Sequence, residues 1–170
     1  RMNFETAKGA IERAKKLMGE LKGTTDSREI SKEIKDSART AGVKEYGEEK
    51  LSSGDISGDE VIVVEGRADV LNLMRAGVNN VIAMNGTKLP ESIKTLSSEK
   101  EIILFVDGDR GGKLIAQNVT DNARIKYIAV APDGKEVEEL TGKEIIMCLR
   151  KKIPTEEFLS RENSSRSRRN

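Results

Sequence analysis

The sequence predicts an α/β domain in which a parallel four-stranded sheet is flanked by helices. From residue 60 onward, short apolar runs alternate with amphipathic helical segments at intervals of roughly 20–25 residues. Such alternation implies right-handed crossover connections, which place helices on both faces of a sheet. The apolar residues are also concentrated: Val, Ile, Leu and Phe account for 29 of the 91 residues in 60–150 and for 12 of the other 79. One packed core with less apolar flanks is therefore expected.

Residues 1–51 are predicted to form an N-terminal helical arm. Apolar residues at 4–21 recur at three- and four-residue steps, as on one face of an amphipathic helix. Asp26 and Glu29 have the spacing of a capping box before a second helix, whose apolar residues lie within 30–41. The two helices predict a hairpin that packs on the rest of the chain or, alternatively, docks on a partner protein.

The remaining elements follow in order along the chain. A linker is expected at 52–59, which is rich in Ser, Gly and Asp. The predicted strands lie at 61–64, 81–84, 101–106 and 126–131, and the predicted helices at 69–76, 90–96, 111–122 and 143–151. Together these elements form the main domain expected at 60–153. Residues 154–170, which end in a segment of Ser and Arg without apolar periodicity, are expected to be a flexible basic tail or a truncated linker.

Composition excludes several classes of chemistry. His is absent and Cys148 is the only cysteine, which excludes Ser-His-Asp triads, Cys/His zinc sites and disulfide frameworks. Cys148 falls on the apolar side of the last predicted helix and is expected in the core. No apolar run approaches the roughly 18 residues of a membrane span, and no signal-peptide pattern is present. We therefore expect no membrane partner and a cytoplasmic location.

The overall charge leaves the choice of partner open. Thirty Lys and Arg against 29 Asp and Glu give a net charge of +1, which does not by itself indicate nucleic acid. Aromatic residues are only 3% of the chain, which argues against base stacking as the main means of holding RNA. Any nucleic-acid binding would have to come from local basic patches.

Acidic, glycine-containing loops follow the first and third predicted strands. In an open parallel sheet the carboxyl ends of the strands meet at one edge, so Glu65, Asp107 and Asp109 are expected to lie close together. Close carboxylates repel each other, by up to about 4 kcal/mol per pair at an effective dielectric constant near 20. A divalent cation would compensate this repulsion, and oxygen ligands without His or Cys suit Mg²⁺.

Other interpretations of residues 107–112 are less consistent with the pattern. A calcium loop would need Asp or Asn where Gly111 stands and Glu where Asn118 stands. A Walker phosphate loop fails on the spacing to Lys113. The DxD pattern also resembles aspartate-nucleophile phosphatases, which carry Thr or Val at the position of Gly111. It remains open that Asp109 simply caps the following helix.

The two acidic motifs carry a family resemblance. Val-Val-Glu65-Gly-Arg-Ala-Asp69 together with Phe-Val-Asp107-Gly-Asp109-Arg-Gly-Gly112 resembles the Toprim domain shared by DnaG-type primases, topoisomerases and some nucleases. Residues 46–51, 65–75, 107–112 and 131–142 resemble more closely the archaeal DnaG-like primases, over roughly residues 27–153. The resemblance implies a Toprim-type sheet and an N-terminal helical arm.

On that resemblance, the chain is a fragment of a Mg²⁺-dependent DNA primase that synthesises short RNA primers from ribonucleoside triphosphates on a single-stranded DNA template. Glu65, Asp107 and Asp109 are then the catalytic residues and the ligands of two Mg²⁺ ions, which activate the 3′ hydroxyl and stabilise the leaving pyrophosphate. Asp69 is either a further ion contact or a helix N-terminal carboxylate, with Arg67 as a possible partner. Bacterial relatives carry a zinc-binding domain, which this composition does not provide.

Four basic residues in or beside these loops are candidates for binding phosphate groups of the triphosphate or template: Arg67, Lys88, Arg110 and Lys113. For each of them, an ordinary solvated or salt-bridged role is an equally good interpretation.

The archaeal family is also associated with the RNA-degrading exosome, and this implies an alternative function. In that hypothesis the chain is a non-catalytic adaptor that binds the exosome cap subunits and adenine-rich RNA. The sparse apolar content of both flanks fits segments that are ordered by a partner. The two roles use different surfaces and can coexist.

Overall fold

The structure is a computed structural model that describes residues 9–13 and 27–169. The chain up to Gly42 and the chain from Val43 onward form two separate compact units. In the first unit, residues 9–13 are helical and helix α1 spans Ser27–Thr40. Helix α1 confirms the second predicted helix, whereas most of the first predicted helix and the Asp26 cap lie outside the described residues. No residue of α1 is buried.

The second unit is built on one seven-stranded sheet. Its strands are β1 (Lys44–Tyr46), β2 (Leu51–Ser53), β3 (Glu60–Val64), β4 (Val81–Ala83), β5 (Glu101–Val106), β6 (Tyr127–Val130) and β7 (Ile153–Pro154). Its α-helices are α2 (Arg67–Arg75), α3 (Glu91–Glu99), α4 (Arg110–Asn122), α5 (Gly142–Arg150) and α6 (Thr155–Arg169), and a 3₁₀ helix spans Val137–Glu139. The strand order is β1-β2-β4-β3-β5-β6-β7.

The four central strands confirm the predicted α/β class. Strands β4, β3, β5 and β6 are parallel neighbours and match the four predicted runs. Successive residues of β3 face opposite sides of the sheet, and both sides are apolar, because Val63 belongs to one core cluster and Ile62 to the other. Cys148 lies in the second cluster and is 8% exposed, which confirms its expected place in the core. No helix in the two described segments is long and apolar enough to cross a membrane.

Three further strands lie at the two ends of the sheet, and each pairs antiparallel with its neighbour. Strands β1 and β2 form a hairpin that pairs with β4, and β7 pairs with β6. The linker predicted from residue 52 is therefore wrong at its start, because Ser52 and Ser53 are buried in β2. Burial of Ser53 is tolerated because its hydroxyl donates a hydrogen bond to the carbonyl of Gly54 over 2.8 Å. The helical arm expected up to residue 51 accordingly ends before β1.

The flexible tail predicted at 154–170 is also wrong, because Thr155–Arg169 is helix α6. The first turns of α6 are anchored to the domain: Phe158 is 4% exposed in the core, and Thr155 donates its hydroxyl hydrogen to the carbonyl of Ile125 over 2.7 Å. The prediction was based on the Ser and Arg content of the last ten residues, whereas Thr155 and Phe158 lie before that polar segment.

Candidate functional site

A cleft of about 300 Å³ opens at the carboxyl ends of the parallel strands. Glu65 follows β3 and Asp107 follows β5, so neighbouring strands deliver both carboxylates to this edge, as predicted. The cleft is lined by Glu65, Gly66, Ala68, Asp69, Gly86, Asp107, Glu136 and Glu138. We call it the acidic cleft.

The carboxylates of the acidic cleft repel one another. Burial raises the pKa of Glu65 above its usual range, and the negative charge of Asp107 raises it further. Burial also raises the pKa of Asp107, although the hydrogen bond from the Val137 N–H opposes this shift. In both groups burial is the largest cause, and the charge of neighbouring carboxylates adds to it, so the ionised forms are disfavoured.

Asp109, the third predicted ligand, is not among the residues that line the cleft. It is the N-cap of α4, and its Oδ1 accepts a hydrogen bond of 2.7 Å from the Gly112 N–H. Asp109 therefore caps the helix that follows it, which is one of the interpretations that the sequence left open. Its charge nevertheless contributes to raising the pKa of Glu65, so Asp109 adds to the same negative field.

Asp69 is a buried carboxylate in the first turn of α2. Its Oδ2 accepts a hydrogen bond of 3.0 Å from the Gly66 N–H, which favours the helix N-terminal interpretation. It forms no salt bridge with Arg67, which is exposed. Burial raises the pKa of Asp69 to about 6. The hydrogen bond from the Gly66 N–H lowers this pKa, but its effect is smaller than that of burial.

Glu136 and Glu138 line the acidic cleft and were not among the predicted site residues. They flank Val137 at the start of the 3₁₀ helix, and the Val137 N–H donates a hydrogen bond of 2.8 Å to Asp107 Oδ1. An available signal was their position in an acidic run that follows the fourth parallel strand, whose carboxyl end reaches the same edge of the sheet.

The four predicted phosphate-binding residues are exposed, and none lines the acidic cleft. Arg67 and Arg110 are the first residues of α2 and α4, and Lys88 lies in the loop that follows β4. Lys113 Nζ is 3.6 Å from Glu162 Oε1 of α6, so it forms a salt bridge with a residue that does not line the cleft. A phosphate role for these residues stays a prediction.

The donor set of the acidic cleft fits Mg²⁺ by its chemistry. Every charged side chain that lines it is a carboxylate, and hard divalent cations prefer oxygen ligands. Among the described residues, however, no three acidic side chains are arranged closely enough to hold one ion together. The positive charge of an ion bound there would offset the repulsion between these carboxylates.

Glycine is required where the loop after β5 meets α4. A Cβ added to Gly112 would lie 2.2 Å from the carbonyl oxygen of Asp107, whereas one added to Gly111 would lie 3.4 Å from its nearest neighbour, Asp109 Oδ1. We expect Gly112→Ala to lower the free energy of unfolding by about 1–3 kcal/mol, because backbone must shift. Gly111→Ala should change it by less than about 0.5 kcal/mol. Urea denaturation of both variants measures this difference, and equal losses would contradict the close approach.

Asp69→Asn tests the buried carboxylate through the pH dependence of stability. The pKa of Asp69 is about 6 in the fold and 3.8 in the reference state, so the folded chain binds more protons between these values. The free energy of unfolding therefore falls as pH rises from about 4 to about 6. Asn removes this contribution, while the raised pKa values of Glu65 and Asp107 leave a smaller slope of the same sign.

The measurement is denaturation in the presence of a chelator at pH values of about 4.5 and 7.5. We expect Asp69→Asn to gain stability relative to the unmodified chain at the higher pH. A difference that is the same at both pH values would show that Asp69 does not titrate in this window.

The comparisons with known proteins agree with the geometry. Residues 59–141 match the Toprim domain family. The chain is 49% identical over 152 residues to the DNA primase DnaG of Methanocaldococcus jannaschii, covering 88% of this chain and 36% of the relative. It is 52% identical over 152 residues to the DNA primase DnaG of Thermofilum pendens, covering 88% and 35%. The chain thus spans about a third of the length of these relatives.

A solved structure gives the same result for the fold. The RNA polymerase domain of Mycobacterium tuberculosis primase DnaG matches with a TM-score of 0.53 and 26% identity. The match covers 63% of this chain and 40% of that chain.

Proposed function

We propose, from the premise that this chain carries a Toprim domain and is homologous to archaeal DnaG primases, that it is the catalytic part of a DNA primase. The observation that carries the proposal is the acidic cleft at the carboxyl ends of β3 and β5. Two of its carboxylates, Glu65 and Asp107, come from the loops whose sequences resemble the Toprim motifs. The proposed reaction is Mg²⁺-dependent synthesis of RNA primers on single-stranded DNA.

Glu65, Asp107 and Asp109 are the proposed metal ligands, and Glu136 and Glu138 add negative charge beside them. Mg²⁺ bound there would act as a Lewis acid on the attacking and leaving oxygens of phosphoryl transfer, with two ions as the expected arrangement. The residues themselves contribute negative charge and fixed positions for the ion.

Hydrogen bonds orient two of the proposed ligands, and each bond uses one of the two carboxylate oxygens. The Val137 N–H holds Asp107 through Oδ1, and the Gly112 N–H holds Asp109 through Oδ1. The second oxygen of each carboxylate accepts no hydrogen bond from the described residues. Both side chains are therefore restrained and still able to bind a cation.

The proposed substrates are ribonucleoside triphosphates and a single-stranded DNA template. Arg67, Lys88 and Arg110 are exposed at the edge of the sheet that carries the cleft, where they are available to phosphate oxygens. The salt bridge to Glu162 makes Lys113 the weakest of the four candidates. The exosome adaptor hypothesis receives no support from the relatives named above, whose descriptions are those of primases.

Template-dependent primer synthesis tests the proposal. Because the chain spans about a third of its relatives, the assay uses this chain and a chimera in which it replaces the matching segment of the Methanocaldococcus relative. Labelled ribonucleotides, single-stranded DNA and Mg²⁺ should yield short RNA products that disappear when template or Mg²⁺ is omitted. A folded chimera that makes no primer, beside an active unmodified relative, would contradict the proposed function.

A further inference from the structure

We propose that Asn72 is a positioning residue that holds the turn bearing Glu136 and Glu138 against the acidic cleft through paired hydrogen bonds to that turn. The inference rests on the proposed function, since it assigns Asn72 a role in organising the proposed metal ligands. Asn72 lies in α2, does not line the cleft and was not a predicted site residue.

The side-chain amide of Asn72 bridges two distant parts of the chain. Its Nδ2 donates one hydrogen bond of 2.9 Å to the carbonyl of Val137 and another of 2.9 Å to the carbonyl of Leu140. These acceptors are 65 and 68 residues away in sequence. An amide nitrogen carries two hydrogens, so both donors of this half-buried side chain are used on one turn.

The turn is short, and its internal hydrogen bonds, which include one of 2.8 Å from the Glu136 N–H to Glu139 Oε1, do not attach it to the rest of the domain. Its 3₁₀ helix is three residues long, with backbone hydrogen bonds of 3.1 Å from the Glu139 N–H to Glu136 and 3.3 Å from the Leu140 N–H to Val137. Side-chain hydrogen bonds from outside the turn come from two residues among those described: the pair from Asn72, and the bond that Asp107 Oδ1 accepts from Val137. Buried side chains of Val137 and Leu140 complete the contact.

Electrostatic repulsion opposes this attachment. Glu136 and Glu138 line the cleft together with Glu65 and Asp107, so like charges repel each other between the turn and the rest of the cleft. Hydrogen bonds from a neutral amide oppose that repulsion without adding charge. An Asp at this position would present oxygens to the two carbonyls and could not donate in its ionised form.

Loss of the Asn72 hydrogen bonds should therefore let the turn move away from the cleft. The Val137 N–H moves with it, so Asp107 loses the group that orients its carboxylate. Groups that orient metal ligands typically change metal affinity by about 10–100-fold when they are removed. We expect Asn72→Ala to weaken Mn²⁺ binding about tenfold.

Asn80 supplies a matched control. Its Nδ2 donates a hydrogen bond of 3.1 Å to the carbonyl of Glu60, at the opposite ends of the strands from the cleft. Asn80→Ala therefore removes the same kind of side-chain to backbone bond without touching the turn. Asn72→Asp is the second test variant, because it keeps the size of the side chain, adds negative charge near the cleft and removes the donors.

The experiment measures two properties of the full chain and its folded variants: Mn²⁺ affinity by electron paramagnetic resonance, and exchange of the Val137 and Leu140 amide hydrogens by NMR. We expect weaker Mn²⁺ binding and faster Val137 exchange in Asn72→Ala, and neither change in Asn80→Ala. For Asn72→Asp the expected result is faster Val137 exchange, because its added negative charge also attracts the cation. Unchanged exchange and affinity in the Asn72 variants would overturn the inference, as would equal effects of Asn80→Ala. If the unmodified chain binds no Mn²⁺, the proposed function fails, while the exchange rates still decide whether Asn72 positions the turn.

Discussion

Asp107→Asn is expected to lower template-dependent primer synthesis by about 100-fold or more, because it removes the charge of a proposed metal ligand that lines the acidic cleft. The amide oxygen of Asn can still accept the hydrogen bond from the Val137 N–H. The fold and the position of the turn should therefore survive. The measurement is the initial rate of primer synthesis by the chimera described above.

Asp59→Asn is the matched control for this prediction. Asp59 is exposed and immediately precedes β3, at the end of the strand opposite to Glu65. Its substitution removes one negative charge of the same type and should leave the rate within about twofold. A folded Asp107→Asn chimera with the rate of the unmodified protein would show that the cleft is not the catalytic site.

Phe158→Ala is expected to lower the free energy of unfolding by about 3–5 kcal/mol, because it removes a large buried side chain from the core. Phe158 is 4% exposed and packs in the cluster that includes Val119 and Ile125. Urea denaturation followed by circular dichroism measures the loss.

Leu114→Ala is the control for the Phe158 prediction. Leu114 lies in α4 and is 49% exposed, so its removal should cost less than about 1 kcal/mol. A loss below about 1 kcal/mol for Phe158→Ala would mean that α6 does not contribute to the core, and the segment after residue 154 would then be a tail.

The central sheet was predictable because its strands are buried on both faces. Residues 61–64 and 101–106 are nearly continuous apolar runs, which is typical of parallel strands covered by helices. The helices between them have apolar periodicity and identifiable caps, such as Thr141, whose hydroxyl accepts a hydrogen bond from the Glu144 N–H. Local sequence and tertiary structure agree for these elements.

The edge strands were not predictable, because they lack long apolar runs. Strands β1, β2 and β7 contain two or three residues each, which is too short for a period of two to be recognised. Ser52 and Ser53 are polar residues whose burial depends on pairing with distant strands rather than on their own propensity. Helix α6 was missed because two apolar residues, Phe158 and Leu159, anchor a segment that is otherwise polar.

The acidic cleft was predictable in part. Glu65 and Asp107 directly follow buried strands, so the topology alone places them at one edge. Glu136 and Glu138 reach that edge through a loop and a turn, and no local pattern gives the path of that loop. The role proposed for Asn72 depends on acceptors 65 and 68 residues away, and such contacts are visible only in the folded chain.

The claim that the acidic cleft is a divalent-cation site is tested most directly by titrating the full chain with Mn²⁺, without nucleotide or template. The comparison is with the double variant Glu65→Gln and Asp107→Asn, which preserves side-chain size and removes two charges. We expect saturable binding by the unmodified chain and at least about 100-fold weaker binding by the folded double variant. Equal Mn²⁺ affinity in the two proteins would contradict the account.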